Sequence, residues 1–197
     1  MAATAAIRAF DTPFKVLWDR DDCSKFEKLG ILNYKYQLIE GEIYRVGQNF
    51  PHIDCIMELI SWMILTFGNN FVESQAPIDL RPEDSPLNMP EPDGIVLNRS
   101  RKGLNRLAKP EDIALLIEVS DTTLAFDLGI KASLYARSEI PEYWVIDLND
   151  RAIFVHREPA EGVYKSVVCV REPNSVSPLS KPGVSTLVST FLPNINI

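Results

Sequence analysis

Ile113-Ala114-Leu115-Leu116-Ile117-Glu118-Val119, in the middle of the stretch from Pro92 to Tyr135, decides how the rest of the chain is read. Strand side chains alternate, so Ile113, Leu115, Ile117 and Val119 share one face, and Ala114, Leu116 and Glu118 the other. Both faces are apolar, which describes a central strand covered on both sides. Glu118 then lies at the strand's C-terminal end, beside or inside a core. A lone buried carboxylate is costly and takes a partner, a proton or a metal; a strand-end acid that reaches water is the alternative.

Downstream, Leu124–Ser138 (LAFDLGIKASLYARS) lacks proline and follows Asp121, Thr122 and Thr123, each a suitable helix N-cap. Leu124, Leu128, Lys131 and Tyr135 recur at helical spacing and share one face, flanked by Asp127 and Leu134. Lys131 therefore sits inside the apolar stripe. It is either a snorkelling lysine whose amine escapes to water or a buried cation with acids to meet. Upstream, the four prolines of Arg81–Pro92 make a loop that delivers Asp93, and Gly94–Leu97 is a short buried strand. The expected convergence is Asp93, Glu118 and Lys131. Two carboxylates with an amine suit phosphodiester chemistry. Mg²⁺ takes oxygen ligands and keeps several waters, and a nearby lysine can orient a nucleophile or offset anionic charge.

Pro92-Asp93, Glu118-Val119-Ser120, Asp127…Lys131…Tyr135 and Ile140–Asp147 (IPEYWVID) together resemble the Uma-two family of the PD-(D/E)xK restriction-endonuclease-like superfamily, abundant in cyanobacteria. The likeness extends from Tyr36–Glu42 (YQLIEGE) to Gly162-Val163-Tyr164. It implies an α/β restriction-endonuclease-like sandwich, with a central mixed sheet flanked by helices and additional β-hairpins. It further implies a homodimeric, metal-dependent endonuclease that hydrolyses DNA. Mg²⁺ or Mn²⁺ would be held by Asp93 and Glu118, with Lys131 as the catalytic lysine. The superfamily pattern sets the lysine two residues after the acid, where this chain has Ser120, so Lys131 takes that role from the helix. Gln37 stands where relatives commonly carry glutamate and offers a carbonyl oxygen without charge. Glu42 is a further candidate ligand or a turn residue, and Glu40 reads as turn. His52, where relatives often carry histidine, contacts phosphate or a metal-bound water, or makes a local hydrogen bond at its helix end.

A length of 197 residues fits one domain, read as residues 19–197 after a loose arm over 1–18. The net charge of −7, from 20 basic and 27 acidic residues, excludes a broadly basic nucleic-acid surface. Arg99, Arg101 and Lys102, in the basic run Arg99–Arg106, are the candidate DNA contacts; a solvated loop is the alternative. Three dispersed cysteines form no metal or redox motif and suit a reducing cytoplasm. No apolar stretch approaches the roughly twenty residues of a membrane helix.

The remaining elements follow from pattern. Asp21-Asp22 caps a helix to Lys28, and Tyr34–Val46 is a hairpin about Gly41. Pro51–Phe67 is a helix with apolar residues at helical spacing. Phe71–Leu80, Glu142–Leu148, Ala152–Arg157 and Tyr164–Val170 read as strands, with a turn at Asn149-Asp150. Asp147 is a turn residue or an outer acid. Glu172–Gly183 is loop, and Val184–Ile197 pairs on an edge or covers the core. The rival function is a nuclease fold kept as an interaction module, binding through the surface around Trp144 or the C-terminal hairpin. A third reading makes the charge cluster purely structural, so that replacing its acids harms folding.

Overall fold

The computed structural model describes residues 15–47 and 49–193. In chain order these form α1 (Arg20–Lys28), a hairpin of β1 (Tyr36–Ile39) and β2 (Glu42–Arg45), α2 (Phe50–Phe67), β3 (Val72–Glu73), β4 (Gly94–Leu97) and β5 (Ile113–Ser120). There follow α3 (residues 124–137), β6 (Glu142–Asp147), β7 (Ala152–Ala160), β8 (Val163–Arg171), β9 (Ser175–Val176) and β10 (Thr186–Leu187). A six-stranded sheet runs β3-β4-β5-β6-β7-β8. Only the β5–β6 pair is parallel. A parallel pair needs a long crossover, and α3 supplies it. The hairpins β1–β2 and β9–β10 lie outside this sheet.

The alternation of β5 sorts its side chains between two cores. Leu115, Ile117 and Val119 join Cys55, Ile56, Leu59, Trp62 and Met63 of α2. Leu116 joins Ala132, Leu134 and Tyr135 of α3. Ile113 departs from the expected face and packs on the α3 side, next to a register shift between Val96 and Leu97. Gly94 lets α2 close on the sheet. A Cβ there would meet the Met63 side chain at 3.1 Å and Ile117 Cβ at 3.3 Å. That contact fixes the backbone one residue after Asp93.

Several expectations change. The strand expected over Phe71–Leu80 shrinks to Val72–Glu73, because Gln75 takes φ 50° and Pro77 has no N–H to donate. The α1 cap is Asp19, whose side chain accepts from Asp22 N–H, while Asp21 and Asp22 occupy the first turn. Of the expected arm, residues 1–14 lie outside the described residues. Leu17 and Trp18 are already docked: Leu17 abuts Gly41, and Trp18 N donates to Gly41 O at 2.9 Å. Trp144 is wholly buried and stacks on Trp62 at 5.7 Å, so its own side chain belongs to the core. Asp147 Oδ1 accepts from Asn149 and Asp150 N–H, which makes it the turn residue. Against the expectation from sequence, α2 is long and apolar enough to span a membrane by length and composition. Its buried side chains nevertheless lie on the sheet. The C-terminal segment covers that core with Val188, Phe191 and Leu192, and residues 194–197 lie outside the described residues.

Candidate active site

Antiparallel pairing sets Gly94 opposite Ile117, so the residue before β4 falls opposite Glu118 on β5. Asp93 is anchored there, its Oδ2 accepting from Val119 N–H at 2.9 Å. Its Oδ1 lies 3.4 Å from Gln75 Nε2 and 3.5 Å from His52 Nε2. Asp93 and Glu118 are both buried and line one pocket of about 450 Å³. The two acids share one side of the sheet.

α3 brings the cation. It widens into a π-helical turn over Asp127–Lys131, a device that recurs at functional sites. Both charged residues of that turn are buried, and Lys131 is 5% exposed. Lys131 Nζ lies 2.9 Å from Glu118 Oε1 and 3.4 Å from Asp127 Oδ1. The amine therefore does not escape to water. Asp127 is held in turn by Thr123, whose hydroxyl donates to Oδ2 at 2.6 Å. Tyr135, one turn beyond Lys131, donates from its hydroxyl to Glu118 Oε1 at 2.9 Å. Lys131 and Tyr135 thus occupy the same carboxylate oxygen.

The electrostatics follow from burial. Desolvation pushes the Glu118 carboxyl from its ordinary 4.5 up to about 8; Lys131 opposes this, and Asp93 and Asp127 add to it. For Lys131, desolvation disfavours the charge, but Glu118 and Asp127 outweigh it and hold the ammonium above its usual range. Burial, then Glu118, raises the Tyr135 phenol well above its ordinary value, so it remains a donor. Tyr135→Phe removes one hydrogen bond to a buried acid. It should lower unfolding stability by about 1–3 kcal/mol in urea titration.

The other expected site residues divide. His52 lines the pocket, and it also makes the local bond expected of a helix-end residue, its N–H donating to Asn49 Oδ1 at 3.1 Å. Gln37 lines the pocket too. Its Oε1 is buried and has no hydrogen-bond partner among the described residues, while Nε2 donates to Glu91 O at 3.4 Å. Glu42 is not brought to the pocket: it accepts from the Tyr44 hydroxyl at 2.7 Å and pairs with Lys15. Nor are Arg99, Arg101 and Lys102. They follow Leu97, which is opposite Ile113 at the far end of β5 from Glu118. Arg99 pairs there with Asp112 at 3.0 Å and Arg101 with Glu73. Among the described residues no three His, Cys, Asp or Glu side chains form a ready-made metal nest. The oxygen-bearing side chains lining the pocket include Asp93, Glu118, Asp127 and the Gln37 amide, hard donors of the kind Mg²⁺ accepts alongside water.

A mixed sheet flanked by helices, with acids from adjacent strands meeting a lysine from the crossover helix, defines a restriction-endonuclease-like α/β protein. The chain belongs to the Uma2 family, described as "Putative restriction endonuclease", whose family model matches residues 24–189. Among solved structures it is similar to a crystal structure described as a "putative nuclease belonging to DUF820" from Anabaena variabilis. That match has a TM-score of 0.60 and 14% identity, and covers 84% of this chain and 96% of the other. No curated protein matches the chain at a significant level.

Proposed function

We propose that this protein hydrolyses phosphodiester bonds in DNA with the help of Mg²⁺ or Mn²⁺. The observation that carries the reading is the meeting of Asp93, Glu118 and Lys131 in one pocket. Asp93 and Glu118 would hold the cation, and Gln37 Oε1, buried without a partner among the described residues, gives a reason for an amide at that place. When bound, such a cation supplies a water of lowered pKa and charge stabilisation at phosphate.

The chain's own groups do the rest. Lys131 lies against Glu118 at 2.9 Å and keeps a positive charge at the pocket floor, which would offset negative charge developing on a phosphate. Asp127 and Thr123 fix the lysine; Tyr135 fixes the acid. His52, on the pocket wall beside Asp93, can donate to a phosphate oxygen.

The test is a titration of Mg²⁺ and of Mn²⁺ against a panel of DNA forms, with a chelator control. Cleavage should rise with either ion and vanish in chelator. Cleavage that persists in chelator, or that fails with every ion and DNA form, rejects the reading.

A further inference from the structure

The pocket's side wall is aromatic, and its Phe126 ring also lies 5.9 Å from Lys131 Nζ. Tyr44 on β2 and Phe126 on α3 meet with ring centroids 4.7 Å apart at 49°. Both are only partly buried, against the α3-side core, and both line the pocket with Asp93 and Glu118. We infer that Tyr44 and Phe126 form a stacking platform for an unpaired nucleobase, so that the DNA cut at this site presents an unstacked single strand. This inference rests on the nuclease reading above and adds the substrate class to it.

Three observations point the same way. At about 450 Å³ the pocket falls in the range of small-molecule sites, roughly 300–1,000 Å³, which leaves room for a single base. A base can enter such a space only after leaving its stack, and an already single-stranded base does so at least cost. Second, an aromatic face binds any base by stacking, which is how sequence-tolerant single-strand sites are built. Third, cations are scarce at the pocket. Among its described residues the arginines and lysines are Arg45 and Lys131, and Lys131 is buried against its acids. Arg45 is exposed, lies over the Tyr34 ring at 5.1 Å, and can serve one phosphate beside a stacked base. Duplex affinity comes largely from many phosphate contacts, and the basic run with the charge to supply them sits at the opposite end of β4. The alternative is that the two rings only latch the β1–β2 hairpin to α3. A latch has no effect on strand preference.

The experiment measures anisotropy of a labelled single strand and of its blunt duplex, in chelator, where nothing can be cut. The single strand should bind at least about tenfold more tightly, and Phe126→Leu or Tyr44→Leu should remove roughly that factor, while Phe126→Tyr retains it. Equal binding of the two DNA forms overturns the inference. So does a Phe126→Leu protein that folds and keeps the preference. Metal-dependent cleavage without strand preference leaves the nuclease reading standing and ends this one. A single-strand preference lost in Phe126→Leu, in a protein that cuts nothing with any ion, supports the platform and rejects the nuclease.

Discussion

Glu118→Gln is expected to reduce metal-dependent DNA cleavage by more than about 100-fold, since even an outer partner of a metal ligand typically contributes 10–100-fold. The fold should survive it. Glutamine keeps an oxygen where Tyr135 and Lys131 now converge on Oε1, so neither donor is stranded. It also removes the need to desolvate an anion, and that burial is what pushes the Glu118 carboxyl up to about 8. Against this, Lys131 loses its closest counter-charge and keeps Asp127 at 3.4 Å. These terms oppose each other, so unfolding stability in urea should stay within about 2 kcal/mol of the parent. Glu118→Ala is a different experiment, because it leaves the buried ammonium beside an empty space. Glu118→Ala is therefore expected to weaken the fold as well as abolish cleavage. Full cleavage by a folded Glu118→Gln protein would remove this acid from the mechanism.

What the sequence made legible was local. β5 declares itself because both of its faces are apolar over consecutive residues, a pattern that survives without knowledge of its neighbours. Lys131 declares itself because a charge inside an apolar helical stripe must either escape or be met, and acids expected on the facing strands settle which. Gln37 also stood out, though its consequence, a pocket Oε1 without a partner among the described residues, depends on how β1 packs beside Asp93. The failures were of two physical kinds. Phe71–Leu80 has strand composition, but its pairing stops where Gln75 turns to positive φ and Pro77 lacks a donor. The basic run from Arg99 has the composition of a nucleic-acid contact, yet its place is decided by β4. Four residues of extended chain separate Asp93 from that loop and carry it to the other end of the sheet. Glu42 failed similarly, since Tyr44 and Lys15 engage its carboxylate. The Asp127–Lys131–Tyr135 spacing was visible, but the division of labour was not. That Tyr135 serves Glu118 while Asp127 serves Lys131 depends on where β5 lies beneath α3.

Lys131→Met should lower stability by on the order of 3–5 kcal/mol, because it strips the cation from the buried acids Glu118 and Asp127. Methionine fills most of the lysine stem's volume, so the loss reports charge rather than a cavity. Cleavage should vanish as well, but the sharper readout is pH. A carboxyl whose folded pKa is raised above its unfolded value contributes stability that is present at low pH and lost as pH rises through the folded value. For Glu118 that window runs from 4.5 to about 8. His156 acts oppositely, since burial depresses its pKa below 6.5 and its contribution is lost only as pH falls. Between pH 6.5 and 8, therefore, Glu118 acts without opposition from His156, and the parent protein should lose stability by up to about 1.4 kcal/mol per unit of pH. Lys131 is the group that pulls the Glu118 value down. In its absence the decline should continue above pH 8, and acidification should recover part of the lost stability by protonating Glu118. Urea titrations of both proteins at constant ionic strength across this range measure the slopes directly. Parallel, flat profiles for the two proteins would mean that Lys131 and Glu118 do not share their proton balance, and the ion pair at the pocket floor would then carry no weight in the chemistry assigned to it.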